Sequence, residues 1–157
     1  MSESGRPGRR RERGRELALL ALCHLEGTAP EERAAALSRL WDSDRNASES
    51  AETLVADLLK DDAVRRFARR LVDLLVEHWE DVDTQIEAVS RRWRLARMDQ
   101  IDRSVLRLAA VELFHEKTPR GVVVSEAVRL ADRYGSERSA AFVNGISESL
   151  AKVLRDV

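Results

Sequence analysis

Six arginines fall within the first fifteen residues: Arg6, Arg9, Arg10, Arg11, Arg13 and Arg15, against Glu3 and Glu12. A guanidinium stays charged and can hold a phosphate through two parallel hydrogen bonds, so this run has the chemistry to bind a polyanion. Neutralising several phosphates in this way releases counterions, and affinity then falls steeply with salt. The cluster has no base preference of its own, and a disordered solubilising tail would have the same composition. A second candidate lies near the C-terminus. Phe142 follows Arg138 by four residues at the expected start of a helix, where backbone N–H groups favour phosphate and a ring can stack on an unpaired base. Core packing is an equally good account of Phe142.

Other reactive residue types form no constellation. His24, His78 and His115 share no metal-ligand spacing with one another or with cysteine. His24 and His78 fall on helical stripes, as partly buried packing histidines would. Cys23 lies beside a leucine stripe and reads as a small apolar core or interface residue. A lone cysteine excludes an intramolecular disulfide and a cysteine-based zinc cluster, and it suits a reducing cytosol. Asp61 and Asp62 precede a helical run, which makes them capping residues rather than an acid/base pair. Neither a Gly-x-x-x-x-Gly-Lys loop nor a Gly-x-Gly-x-x-Gly turn occurs. These readings argue against an enzyme, a metal site or a bound cofactor. Apolar runs are too short for a membrane span or a signal-peptide core, so the expected compartment is the cytoplasm.

The chain has 157 residues and a formal net charge of −1, with 27 basic and 28 acidic side chains. The near-balance hides an asymmetry: the first fifteen residues are basic, and residues 28–62 hold nine acids against four bases. Such a run usually forms a solvated acidic face. Of the 27 basic residues, 24 are arginine.

Hydrophobic spacing predicts helices throughout. The first covers about 9–25, with Leu17, Leu20, Ala21 and His24 or Leu25 on one face and Gly27 as its stop. A helix over roughly 31–41 has Leu37, Leu40 and Trp41 as its apolar residues, after a possible capping pair within Thr28-Ala29-Pro30-Glu31. Residues 42–50 read as a loop. Val64, Phe67, Ala68, Leu71, Leu74, Leu75 and His78 form a long stripe backed by Arg65, Arg66, Arg69 and Arg70. Val82, Ile86, Val89 and Trp93 continue as another helix, and Met98 to Leu113 as the next. Val123, Ala127, Leu130, Ala131 and Tyr134 mark a helix closed by Gly135 in a left-handed conformation. Ser136 then caps a last helix, with Glu137 near its positive end. Val122–Val124 is the only strand-like run and is outweighed by its context. The expected architecture is all-α, six or seven helices packed as a bundle or two, with a basic flexible tail over 1–8 and a single domain over 9–157.

Three stretches together resemble the NusB family of bacterial transcription antitermination factors. The first is Arg10-Arg11-Glu12-Arg13-Gly14-Arg15-Glu16-Leu17-Ala18-Leu19-Leu20-Ala21-Leu22. The second runs from Trp93-Arg94-Leu95-Ala96-Arg97 through Asp102-Arg103-Ser104-Val105-Leu106-Arg107 to Glu112-Leu113. The third joins Thr118-Pro119, Ser125-Glu126-Ala127-Val128-Arg129-Leu130-Ala131, Tyr134-Gly135 and Phe142-Val143-Asn144-Gly145. Residues 28–89 match only in helical character.

The resemblance implies an all-α fold of about seven helices in two packed sub-bundles, and binding to the boxA element of nascent ribosomal RNA transcripts together with the ribosomal protein NusE, within an antitermination complex on RNA polymerase. It implies RNA contacts at Arg9, Arg10, Arg11, Arg13 and Arg15, and at Glu137, Arg138 and Phe142. Leu22, Cys23, Asp102 and Arg107 fall near the implied partner faces. Self-association of the free protein stays open. The sequence departs from the family pattern at Leu20 and Cys23, where Gln and Tyr are common. It departs again at Arg138 and Ala141, where acidic and basic residues are common. Two other classes remain: a recognition module like the N-terminal domain of ribosomal RNA cytosine-5 methyltransferases, and a helical adaptor that binds protein alone.

Overall fold

A computed structural model describes residues 7–42 and 52–155. It contains seven α-helices among the described residues and no strand: α1 (Pro7–Leu25), α2 (Arg33–Trp41), α3 (Glu52–Lys60), α4 (Asp62–Val89), α5 (Gln100–His115), α6 (Arg120–Tyr134) and α7 (Ser139–Arg155). Short 3-10 turns at Pro30–Glu32 and Leu95–Arg97 precede α2 and α5. The all-α expectation holds. Val122–Val124 is helical, inside the first turn of α6. The helix start at Pro7 takes in residues 7 and 8, which the sequence assigned to the tail. The expected tail over 1–6 and most of the expected loop, 43–50, lie outside the described residues. Tertiary contacts divide the chain into two compact units, 1–76 and 77–157.

In the first unit, α1 packs on α2 and α3. Its Leu17, Ala18, Leu19, Ala21, Leu22 and Leu25 are all buried, Leu20 is half-buried and His24 is exposed. This differs from the expected single stripe. Three consecutive buried residues cannot share one face of a helix, so α1 is covered on more than one side. His24 lies off the covered faces, which is why it is not the packing histidine expected. Gly27 ends α1 at φ +88°, and the Thr28 N–H donates to the Leu25 carbonyl at 2.9 Å. Glycine occupies this left-handed position without Cβ strain. The cap expected from Thr28 is absent: Ala29 holds the N-cap position of the following 3-10 turn without a side-chain bond. Asp61 caps α4 as expected, its Oδ1 accepting from the N–H groups of Ala63 and Val64 at 3.0 and 3.3 Å.

At His78 the backbone of α4 leaves helical values (φ −114°, ψ 23°). The helix then runs to Val89, short of the expected inclusion of Trp93. A turn takes over because the Ser90 hydroxyl donates to the Trp93 carbonyl at 2.7 Å, leaving Trp93 outside the helical stripe.

The second unit packs α5, α6 and α7 against one another. Val105, Leu106, Ala109 and Leu113 of α5, Val123, Ala127, Leu130 and Ala131 of α6, and Val143 and Leu150 of α7 are all buried. Burial of each large side chain stabilises by about 1.5–3 kcal/mol relative to exposure. Arg155, at the end of α7, donates to the carbonyls of Leu113 and Glu116, the latter at 2.9 Å. It thereby satisfies C-terminal carbonyls of α5 that have no helical partner. Gly135 follows α6 at φ −95°, ψ −163°, which is extended rather than left-handed backbone. Glycine is needed there for space: a Cβ would collide with Ser139 and sit 2.7 Å from the Ala131 carbonyl oxygen. The last helix starts at Ser139 rather than directly after Ser136, whose hydroxyl meets that of Ser139 at 3.2 Å.

Candidate nucleic-acid interface

Among the described residues no group of three or more His, Cys, Asp and Glu side chains could hold a metal ion. No described helix is long and apolar enough to cross a membrane.

In the first unit, α1 is built to hold its arginines in place. Gly14 sits where a Cβ would lie 2.6 Å from Cδ1 of Phe67. Its missing side chain lets the Phe67 ring of α4 lie against α1. The guanidinium carbons of Arg11 and Arg15 then stand 5.2 and 5.5 Å from the centroid of that ring, at cation–π range. Arg10 lies 3.7 Å from Oδ2 of Asp61, the residue that caps α4, and Arg9 pairs with Glu12 at 3.0 Å. These are exposed pairs of small energy, and their effect is mainly to bias where the charges sit.

Arg10 and Arg11 face Arg66 and Arg70 of α4 across a concavity of about 370 Å³, floored by Ala63 and Phe67. Four guanidiniums around one hollow favour an anion there. Arg66, Phe67 and Arg70 were not among the site residues expected from the sequence. The signal was present in the arginine face of the α4 stripe, but periodicity does not show that this face meets α1. Arg9, Arg10 and Arg11 are exposed and Arg13 is half-buried. Arg15 is only 5% exposed, so its guanidinium is committed to the interior beside Phe67 and does not offer the phosphate contact expected of it.

In the second unit, Glu137 and Arg138 are exposed in the turn before α7, and Phe142 is half-buried in its first turn. The N–H of Ser139 already donates to the Ser136 carbonyl at 3.1 Å, which reduces the free donors expected at this helix start. A partly open ring beside an exposed guanidinium remains able to take a stacked base.

The expected partner residues divide. Cys23 is half-buried on α1. Leu22 is 2% exposed, which corrects its reading as a surface contact. Asp102 is likewise buried, and burial raises its carboxyl above the ordinary 3.8. A hydrogen bond with the Ser139 side chain works in the opposite direction, and the charge of Asp99 adds to the rise. Its Oδ1 has no hydrogen-bond partner among the described residues. Arg107 holds Asp83 with two bonds of 2.8 and 3.1 Å and lies 4.6 Å from the Trp79 ring centroid. Asp102 and Arg107 thus connect elements within the second unit. His78 and His115 stack at 4.6 Å. Burial lowers His115, and the His78 charge lowers it further, against the opposing charges of Glu77 and Glu116.

A sequence model of the NusB family matches residues 12–154. The transcription antitermination protein NusB of Anaeromyxobacter dehalogenans is 45% identical over 145 residues, covering 92% of each chain. That of Myxococcus xanthus is 41% identical over 92% of this chain and 96% of its own. Among solved structures, T. maritima NusB superposes with a TM-score of 0.72 at 34% identity, covering 90% of both chains. A crystal structure of the antitermination factors NusB and NusE in complex with dsRNA aligns with a TM-score of 0.65 at 27% identity, over 92% of this chain and 98% of the other. None of these relatives is named as an enzyme. With the family model spanning nearly the whole chain and relatives above 40% identity, this chain belongs to the NusB family.

Proposed function

We propose that this protein is a cytoplasmic transcription antitermination factor. It binds the boxA element of nascent ribosomal RNA transcripts with the ribosomal protein NusE and helps RNA polymerase resist termination. The observation that carries the reading is the concavity in which Arg10 and Arg11 of α1 face Arg66 and Arg70 of α4 around Phe67. The structural likeness to a NusB bound with NusE and dsRNA supports it.

In this reading Arg9, Arg10, Arg11 and Arg13 hold phosphates, with Arg66 and Arg70 as the facing wall. Glu137, Arg138 and Phe142 make a second contact, in which the Phe142 ring stacks on a base. Cys23 lies on the NusE-facing side of α1. Leu22, Asp102 and Arg107 support the partner surface from beneath, through the packing and pairs described above.

A titration of boxA-like and scrambled single-stranded RNA, with and without NusE, tests this at two salt concentrations. Expected are tighter binding to the boxA-like RNA, strengthening by NusE and a marked loss at the higher salt. Absence of binding at low salt with NusE present would refute the function.

A further inference from the structure

The turn joining α4 to α5 is a basic segment that the RNA reading above does not use. Over residues 90–99 it contains Arg91, Arg92, Arg94 and Arg97 against one acid, Asp99. All four arginines are exposed, and none is held in an ion pair among the described residues. Between them stands Trp93, 52% exposed.

An indole in water is unusual for so large an apolar group, and it is not exposed here because the turn is loose. The Ser90 N–H donates to the Ile86 carbonyl at 2.9 Å, and the Ser90 hydroxyl closes on the Trp93 carbonyl. On the other side, the N–H of Arg97 donates to Arg94 at 2.9 Å and that of Met98 to Leu95 at 3.1 Å. Leu95 and Met98 are buried, at 4% and 6% exposure. The apolar anchors face inward while the ring and the four charges face outward on a fixed backbone.

An exposed aromatic ring within a run of exposed cations matches the chemistry of a single strand, whose bases offer π faces and whose phosphates need counter-charge. A protein partner could also bury an exposed indole, but four arginines within 91–97 without ion pairs among the described residues favour a polyanion. We propose that this turn is a second contact for single-stranded RNA, separate from the α1 concavity and the start of α7. The Trp93 ring stacks on one base, and Arg91, Arg92, Arg94 and Arg97 hold the neighbouring phosphates.

The proposal rests on the RNA-binding function above, and the full-length protein tests it with boxA-like RNA. Trp93→Ala is expected to weaken binding about ten-fold with its salt dependence preserved, and Trp93→Phe to restore most of the loss. The triple variant Arg91→Gln, Arg92→Gln, Arg94→Gln is expected to flatten the slope of log affinity against log salt by about 0.7 for each phosphate no longer neutralised. Quenching of tryptophan fluorescence by RNA is expected to disappear in Trp93→Phe, because Trp41 is buried and Trp79 is covered by Arg107.

Arg10→Ala with Arg11→Ala serves as the reference. If that variant loses affinity while Trp93→Ala does not, the turn is not an RNA contact and the antitermination reading survives. If the unaltered protein binds no RNA with NusE present, both fall. Weakened NusE binding with unchanged RNA affinity in Trp93→Ala would make the turn a protein contact and overturn the proposal.

Discussion

At the start of α1 the guanidiniums are tethered, with Arg9 on Glu12, Arg10 beside Asp61, and Arg11 and Arg15 over Phe67. In the turn at 91–97, four guanidiniums and one indole are exposed to solvent. The two arrangements order different groups before a ligand arrives. Tethered arginines have already lost part of their side-chain freedom, so less is lost on binding. Those at 91–97 keep that freedom and supply long-range attraction, on a backbone held by the Ser90–Trp93 bond. On the proposed function, α1 would fix where phosphates sit and the turn would capture strand and stack base.

The tethered side breaks most readily at Gly14. Gly14→Val places a branched side chain where Phe67 packs, and overpacking of this kind costs about 1–3 kcal/mol. Thermal unfolding of Gly14→Val should show that loss, and Phe67→Ala should recover much of it in the double variant. Additive losses in that cycle would mean that the two residues do not meet.

Arg107 gives a milder test, as the tethered arginine of the second unit. Arg107→Lys keeps the charge but cannot hold Asp83 through two parallel bonds while covering Trp79. A loss of about 1–2 kcal/mol is expected in denaturant unfolding, with a red shift of tryptophan emission as Trp79 gains water. Unchanged emission would argue against the stack.

Asp102 gives the smallest effect. Its folded-state carboxyl is raised above 3.8, so folding favours the neutral form. The stability this group contributes is present below the unfolded value and is lost as pH rises through the folded one. Asp102→Asn should therefore be more stable than the natural chain at pH 7, by less than about 1 kcal/mol. The gap should close as pH falls below the ordinary carboxylate range. Melting curves at pH 7 and pH 3 check the sign.

Local chemistry was legible where one residue and its neighbours suffice. Gly27 stops α1 in the left-handed region and Asp61 caps α4, each through bonds within three residues. Legibility failed where a distant side chain decides. Gly14 looks like a weak point in a helix until Phe67 is placed against it. Arg15 shares the composition of Arg10 and Arg11 but lies one turn deeper. His24 occupies a plausible stripe position, yet α1 is covered on other sides. Gly135 needs no positive φ, only the room that Ser139 occupies. Trp93 continues a helical spacing that one serine hydroxyl ends. Of the interface, the α1 arginines were visible as a cluster, whereas Arg66 and Arg70 were visible only as a polar face.

The central claim is that the arginines at the start of α1 hold RNA phosphates, and the salt dependence of binding tests it most directly. Affinity for boxA-like RNA would be measured with NusE across a salt series, for the natural chain and for Arg10→Ala with Arg11→Ala. The account predicts weaker binding in the variant and a slope of log affinity against log salt shallower by about 1.4, at roughly 0.7 for each of two phosphates left without its arginine. An identical slope and affinity would contradict it.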